Sequence, residues 1–255
     1  MSESDGASED QESTPAKPQR RRRDLLARVV RTVLLLVAMV IALPLLLTPL
    51  YIVVDPVSVP MLGRWLSGQR VERQWRPIEQ ISDRLKAAVV MSEDGQFCRH
   101  MGVDLRALSD EIERMLAGKE FRGASTITMQ VARNLFLTND PSLLRKAVEV
   151  PLAFYLDLVL SKRRIMEIYL NIAEWGPNGE FGVEAGAMAA FGADADALSW
   201  ERASLLAVAL PNPRVRLPGR PGPGLRRVAG IVEARTQEYG QRASCVGNEG
   251  RLALQ

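Results

Sequence analysis

Residues 32–54, "TVLLLVAMVIALPLLLTPLYIVV", run for 23 positions without a charged side chain. As a helix rising 1.5 Å per residue, such a stretch spans roughly 34 Å, against about 30 Å of bilayer hydrocarbon. A core helix of a soluble domain rarely stays uncharged for that length. A cleaved signal peptide has a shorter apolar region with a small-residue cleavage site close behind it. The sequence that follows here, "DPVSVPML", offers no such site. The expectation is an uncleaved membrane anchor; Pro44 and Pro49 are tolerable in one. Arg20–Arg23, Arg28 and Arg31 precede the stretch. The positive-inside rule then keeps residues 1–31 in the cytoplasm and places everything after Asp55 outside, in the periplasm of a bacterium with two membranes.

The basic run has a second reading as a nucleic-acid arm, but the apolar stretch directly behind it decides for the membrane. Aromatics make up only 5% of the chain, which argues against stacking platforms for bases. No nucleic-acid partner is expected. Residues 1–19 are acidic, rich in Ser and Pro and nearly free of apolar residues, the composition of a disordered tail. The expected organisation is a cytoplasmic tail over 1–31, a transmembrane helix over 32–54, a connector over 55–80, a folded domain over 81–240 and a C-terminal tail over 241–255. Cys98 and Cys245 are the only cysteines. An oxidising compartment permits a bridge between them, but nothing in the sequence shows that they meet, and no obligatory bridge is expected. Two cysteines and one histidine do not make a zinc site.

Apolar spacing predicts a mostly α domain. Helices are expected over 81–94, over 104–120 with Asp104 as N-cap and Gly118 ending it, and over 125–137 with Ser125 or Thr126 as cap. A buried helix or pair of helices is expected near 145–175, and further helices over 199–210, capped by Ser199, and 225–240. Residues 211–224, "PNPRVRLPGRPGPG", read as a loop. No segment alternates convincingly as a strand.

Polar residues set within apolar helical pattern are the informative ones. Glu93 and Asp94 follow "AAVVMS" at the end of a buried helix. A carboxylate there is desolvated, its pKa rises, and it becomes usable as a general acid or base; alone, the pair reads more readily as a solvated helix end than as a site. Glu149 sits between Val148 and Val150, just before Pro151, which disfavours helix at Val150, so a helix is expected to start or kink at the proline. "GASTITMQ" (123–130) presents hydroxyls and backbone N–H groups of the kind that hold an anion, or that merely cap a helix. Arg133, Arg145, Lys146, Lys162, Arg163 and Arg164 cluster nearby in sequence, several of them beside apolar runs and about half of them readable as ordinary surface charge. Two acids with several cations suit acid/base chemistry on a phosphorylated substrate. His100, the only histidine, has a structural hydrogen bond as its expected role. No P-loop, Rossmann or metalloprotease motif occurs.

Taken together these stretches resemble the peptidoglycan glycosyltransferases of family 51, most closely the monofunctional biosynthetic transglycosylases. "EDGQFCRHMGVD" resembles E-D-x-x-F-x-x-H-x-G-x-D. "GASTITMQVARNLFL" resembles G-G-S-T-I-T-Q-Q-x-x-K-N-L-F-L, "RKAVE" R-K-x-x-E, "SKRRIMEIYLN" S-K-x-x-I-L-E-x-Y-L-N, and "FGVEAGAMAAFG" the G-V-E-A-A-A stretch. The order holds over residues 85–215. The resemblance implies a lysozyme-like, mostly α glycosyltransferase domain with one N-terminal transmembrane helix, acting on lipid II and the nascent glycan chain at the inner membrane. It implies Glu93 as the general base on the acceptor 4-hydroxyl and Glu149 as the second carboxylate, near the leaving diphosphate. Lys146 and Arg133 would neutralise that diphosphate, and Arg145 is a further substrate-binding residue. Ser125, Thr126, Gln130 and Asn134 would position sugar or phosphate, and Asp94, Phe97 and His100 would shape the pocket of the base. No cofactor is obligatory; a divalent cation, Mg or Mn, at the diphosphate is compatible with the family. Cell-wall synthesis or division proteins are expected partners. Ala124 stands where the family has glycine, Met129 where it has glutamine and Arg133 where it has lysine; an arginine keeps the charge but bonds through a planar fork. The S-x-x-K and K-T-G motifs of a transpeptidase are absent, so polymerisation without cross-linking is expected. Met115, Leu116 and Phe121 offer apolar contact with the bilayer. The readings set against this are a lytic transglycosylase or glycan hydrolase, which has no diphosphate to bind, and a non-catalytic scaffold.

Overall fold

The computed structural model of the chain describes residues 18–119, 125–138 and 142–254. The expected tail over 1–19 falls almost wholly outside them, as do Phe121 and Ala124. Among the described residues the chain forms ten α-helices, and it divides into two compact units at Leu45/Leu46. Helix α1 (Pro18–Leu50) contains one segment, Asp24–Leu50, long and apolar enough to cross a membrane. The helix stops at Leu50, and Tyr51–Val54, expected to finish the span, form a turn instead.

The second unit begins at Leu46, in the last residues of α1, and continues through that turn. Residues 55–80 are not a loose connector. They carry α2 (Val59–Leu66), capped by Ser58, whose Met61 is fully buried, and a 3-10 turn at Ile78–Gln80 with Ile78 in the core. Two-residue strands, Glu72–Arg73 (β1) and Glu180–Phe181 (β2), pair in parallel. Two residues cannot show alternation, which is why no strand was legible.

At the centre lies α3 (Asp83–Glu93). Leu85, Ala87, Ala88, Val89 and Val90 are all buried, so it is apolar on nearly every face. It packs against α9 (Trp200–Ala209), α10 (Pro223–Tyr239) and a 3-10 helix at Gly240–Val246. The residues expected as a C-terminal tail thus pack into the core, through Ala243, Val246 and Leu252. Cys245 in this segment bonds Cys98 with Cα atoms 5.7 Å apart, correcting the expectation of no obligatory bridge.

The other half of the unit is built on α4 (Leu105–Leu116), α5 (Ile127–Phe136), α6 (Leu143–Val159), α7 (Lys162–Ile172) and α8 (Val183–Phe191). Asp104 caps α4 by accepting from Arg106 and Ala107 N–H at 3.1 and 3.0 Å, and Gly118, at φ +69°, follows its end, both as expected. Ser161 caps α7, which divides the long apolar segment into two helices. Helix α6 neither starts nor stops at Pro151. It begins at Leu143, capped by Ser142, and runs through the proline. Pro151 removes one i→i−4 bond, and burial of Ala153, Leu156 and Leu160 keeps the helix in place. Gly102 lies against α6 at φ +78°, where a Cβ would come within 2.3 Å of Ala153 O, so this contact requires glycine.

Candidate active site

Three helices meet where the polar residues of these motifs gather. α5 is the shared support, packed on α6 and α7. Its Gln130, Arg133 and Asn134, at i, i+3 and i+4, lie on one face. They line a cleft of about 260 Å³ together with Tyr169 of α7, Glu174, and Leu210, Pro211 and Pro213 of the loop after α9.

Glu93 ends α3 beside this cleft and is held by it. Gln130 Nε2 donates to Glu93 Oε2 at 3.1 Å, and Tyr169 OH donates to Gln130 Oε1 at 3.0 Å. Ser92 Oγ donates to Glu93 Oε1 at 3.3 Å. Burial pushes the Glu93 carboxyl above its ordinary range, against the opposing pull of Gln130, Ser92 and the Arg216 guanidinium. Burial likewise raises the Tyr169 phenol well above its usual value, with the Glu93 charge adding to it, so Tyr169 stays a neutral donor. The result is a carboxylate fixed in position by a two-bond relay and poised to accept a proton.

The second cluster surrounds Glu149, whose side chain is fully buried. Lys146 Nζ donates to Glu149 Oε2 at 3.1 Å and to Ser125 Oγ at 2.5 Å, and Arg145 Nη1 pairs with Glu149 Oε1. Spacings of three and four put both cations over the carboxylate on α6. Burial pulls the Lys146 ammonium below its ordinary value; Glu149 opposes this, while the Arg133 and Arg145 charges reinforce it. Arg133 therefore links the two clusters, lining the cleft at one end and acting on Lys146 at the other. Its Nε is buried with no hydrogen-bond partner among the described residues.

Not every residue expected at the site faces it. Asp94 accepts from the N–H of Ile127 at 3.0 Å, at the start of α5, and lies 2.9 Å from His100 Nε2. Thr126 caps α5, accepting from Met129 N–H at 3.1 Å, and donates its hydroxyl to Gly102 O at 2.5 Å. Phe97 is fully buried, edge-on to His100 and under the Lys162 ammonium. These four groups orient α5 and its approach rather than line the cleft. Met129 is also fully buried, so the glutamine-to-methionine departure falls in the core. Lys162 pairs with Asp157, Arg163 with Glu79, and Arg164 with Glu167 and Asp55, which removes all three from the cation cluster.

Sequence reasoning passed over Tyr169, Glu174 and Arg216. Tyr169 sat inside a recognised motif but reads as an ordinary apolar position of a buried helix. Arg216 lies in a Pro/Gly-rich loop, where its bond to Val208 O at 2.8 Å and its field at Glu93 leave no local signal.

The donor set can be tested against a resident divalent ion. Both oxygens of Glu149 are already engaged by Arg145 and Lys146, and among the described residues no group of three or more His, Cys, Asp or Glu side chains comes together. An ion held by protein side chains alone does not fit here, and no step is routed through one.

A family model described as Transglycosylase matches residues 60–234. The chain is 53% identical over 210 residues to a protein of Rhodopseudomonas palustris (strain TIE-1) named biosynthetic peptidoglycan transglycosylase, covering 82% of this chain and 89% of that one. Proteins of the same name from Mesorhizobium japonicum and Rhizobium etli are 50% and 48% identical over 227 and 235 residues. Those matches cover 88% and 90% of this chain, and 96% and 99% of the relatives.

Proposed function

Because the chain belongs to the transglycosylase family and is a peptidoglycan glycosyltransferase, we propose that it polymerises lipid II into β-1,4-linked glycan with Glu93 as general base. The observation that carries this is the desolvated Glu93 carboxylate, fixed by Gln130 beside a cleft whose supporting helix also reaches a half-buried cation cluster around the buried Glu149. Glu93 takes the proton of the acceptor sugar's 4-hydroxyl as that oxygen forms its bond to the anomeric carbon of the growing chain. The bond from that carbon to the lipid diphosphate breaks, and the electron pair leaves with the diphosphate. Attack from the opposite face turns an α-linked diphosphate into a β-linked glycan.

The negative charge that builds on the leaving oxygens needs fixed positive charge in a site shielded from water. Lys146, Arg145 and Arg133 supply it. Glu149 holds the first two in place, and Ser125 holds Lys146 from the other side. A phosphate oxygen accounts for the unpartnered Nε of Arg133. Asn134, on the cleft wall, is placed to bond the substrate. Asp94, His100, Thr126 and Phe97 act by holding α5 and the loop before it.

The α1 span anchors the enzyme in the inner membrane, with Arg20–Arg23 on the cytoplasmic side and the domain outside. A substrate with a polyprenyl tail in the same bilayer is then presented at the lipid surface. Incubation of the purified full chain with labelled lipid II tests the reading. Polymer formation supports it, and release of glycan from finished sacculi without polymer from lipid II contradicts it.

A further inference from the structure

Helix α2 leaves an apolar stripe uncovered. Leu62, Trp65 and Leu66 are 45%, 49% and 90% exposed. Their spacing of three and four puts them on one face, while Met61 and the capping Ser58 bury the other. The turn just before α2 is uncovered as well, at Ile52, Val53 and Val54. This surface continues in sequence from the apolar stretch 32–54. The first charge after that stretch, Asp55, is paired with Arg164, whose guanidinium also donates to Tyr51 O at 2.8 Å and Val54 O at 2.9 Å. The residues that follow the span are therefore fastened to α7 of the packed domain.

Large apolar side chains exposed together on one helix face mark an interaction surface. A tryptophan among leucines on a short helix just beyond a span is the composition of the membrane–water interface. We infer that α2 is an interfacial helix that lies in the headgroup layer of the bilayer that α1 spans, and that it positions the catalytic cleft over that layer. The connection to the cleft is direct. Arg64, on the same helix, pairs through Nη1 with Glu174 Oε1 at 3.2 Å, and its Nε donates to Arg70 O at 3.0 Å. Glu174 lines the cleft and takes Arg214, from the loop that supplies Pro211 and Pro213, at 3.2 Å. α2 also packs on α5, the helix that carries Gln130 and Arg133. The height at which α2 rests on lipid is thereby transmitted to the cleft wall.

The inference rests on the anchor reading, and the test separates the two. The chain has four tryptophans, at 65, 75, 175 and 200, and none lies in α1. The full chain is reconstituted into phosphatidylcholine/phosphatidylglycerol vesicles whose acyl chains are brominated close to the glycerol. Flotation reports the anchor, and quenching of tryptophan emission reports α2. The expected result is flotation with quenching that disappears in Trp65→Phe. Leu62→Ser/Leu66→Ser should reduce quenching and slow polymerisation of lipid II in vesicles severalfold, while leaving activity on a short-chain lipid II in detergent unchanged. Flotation without quenching overturns the inference and leaves the anchor standing. Concentration-dependent self-association that shields Trp65 from the bromines overturns it in favour of a protein interface. Failure to float overturns both.

Discussion

Removing the Cys98–Cys245 bridge is the perturbation whose size the structure fixes best. The two cysteines are 147 residues apart. In the chain-entropy treatment, closing a loop of that length restricts the unfolded ensemble by about 5 kcal/mol at 25 °C, near the top of the range observed for disulfides. The native contacts around the bridge do not depend on it alone. Arg163 still donates to Gly247 O at 3.1 Å and Asn248 Oδ1 at 2.9 Å, Ala253 N–H to Asp83 Oδ2 at 2.5 Å, and Ala243 and Val246 remain buried. Cys98→Ser/Cys245→Ser should therefore fold, but with about 3–5 kcal/mol less stability, which for a domain of this size is a fall in Tm of roughly 6–20 °C. The assay is thermal and denaturant unfolding of the double variant beside the oxidised and the reduced wild type. The reduced wild type should unfold with the variant. A double variant within about 1 kcal/mol of the oxidised protein would refute the reasoning, since that lies well below the roughly 3–5 kcal/mol expected for a loop of this length. Two titratable thiols in the protein purified without reductant would refute it too.

Other outcomes follow from the charges at the site. Burial raises the Glu93 carboxyl, so its stabilising contribution is full below the ordinary carboxylate pKa and is lost as pH rises through the raised value. Glu93→Gln should match the wild type in Tm near pH 4 and exceed it near pH 8; the opposite order would remove the case for a strained carboxylate. Gln130→Leu deletes a donor that favours the ionised form, so the acid limb of kcat/KM should move up by about 1–2 pH units, from a charged hydrogen bond of about 1.5–3 kcal/mol. A limb that moves down, or not at all, would mean that Gln130 does not support the base. Lys146→Met leaves the buried Glu149 with Arg145 alone. It should lower stability by up to about 3–5 kcal/mol, and adding Glu149→Leu should recover stability but not activity. Recovery of activity in the double variant would make the pair structural only.

The helices were legible where a cap or an apolar stripe marked them. Asp104 and Ser199 announced α4 and α9. α2 was hidden by Pro60 and Gly63, and α8 by its run of alanine and glycine, apolar on all sides and without a period. The passage of α6 through Pro151 depends on the core around it, a tertiary effect outweighing a local preference. The disulfide joins residues too distant for any local pattern. At the site, burial of Glu93 could be read from "AAVVMS", and the cation spacing around Glu149 from α6 itself. The relay through Tyr169 and the field of Arg216 could not, because both come from elements remote in sequence that folding brings to Glu93. Thr126 and Phe97, expected near substrate, are taken up by a helix cap and by the core.

The central claim is that Glu93 draws the proton from the acceptor hydroxyl. Its direct test is the rate of lipid II polymerisation by Glu93→Gln, measured beside the wild type in the same vesicles, with Tm recorded to establish the fold. The account predicts a loss of about 10²–10⁴-fold, the ordinary share of a general base, in a protein at least as stable as the wild type at neutral pH. Polymerisation at the wild-type rate by a folded Glu93→Gln protein would contradict it.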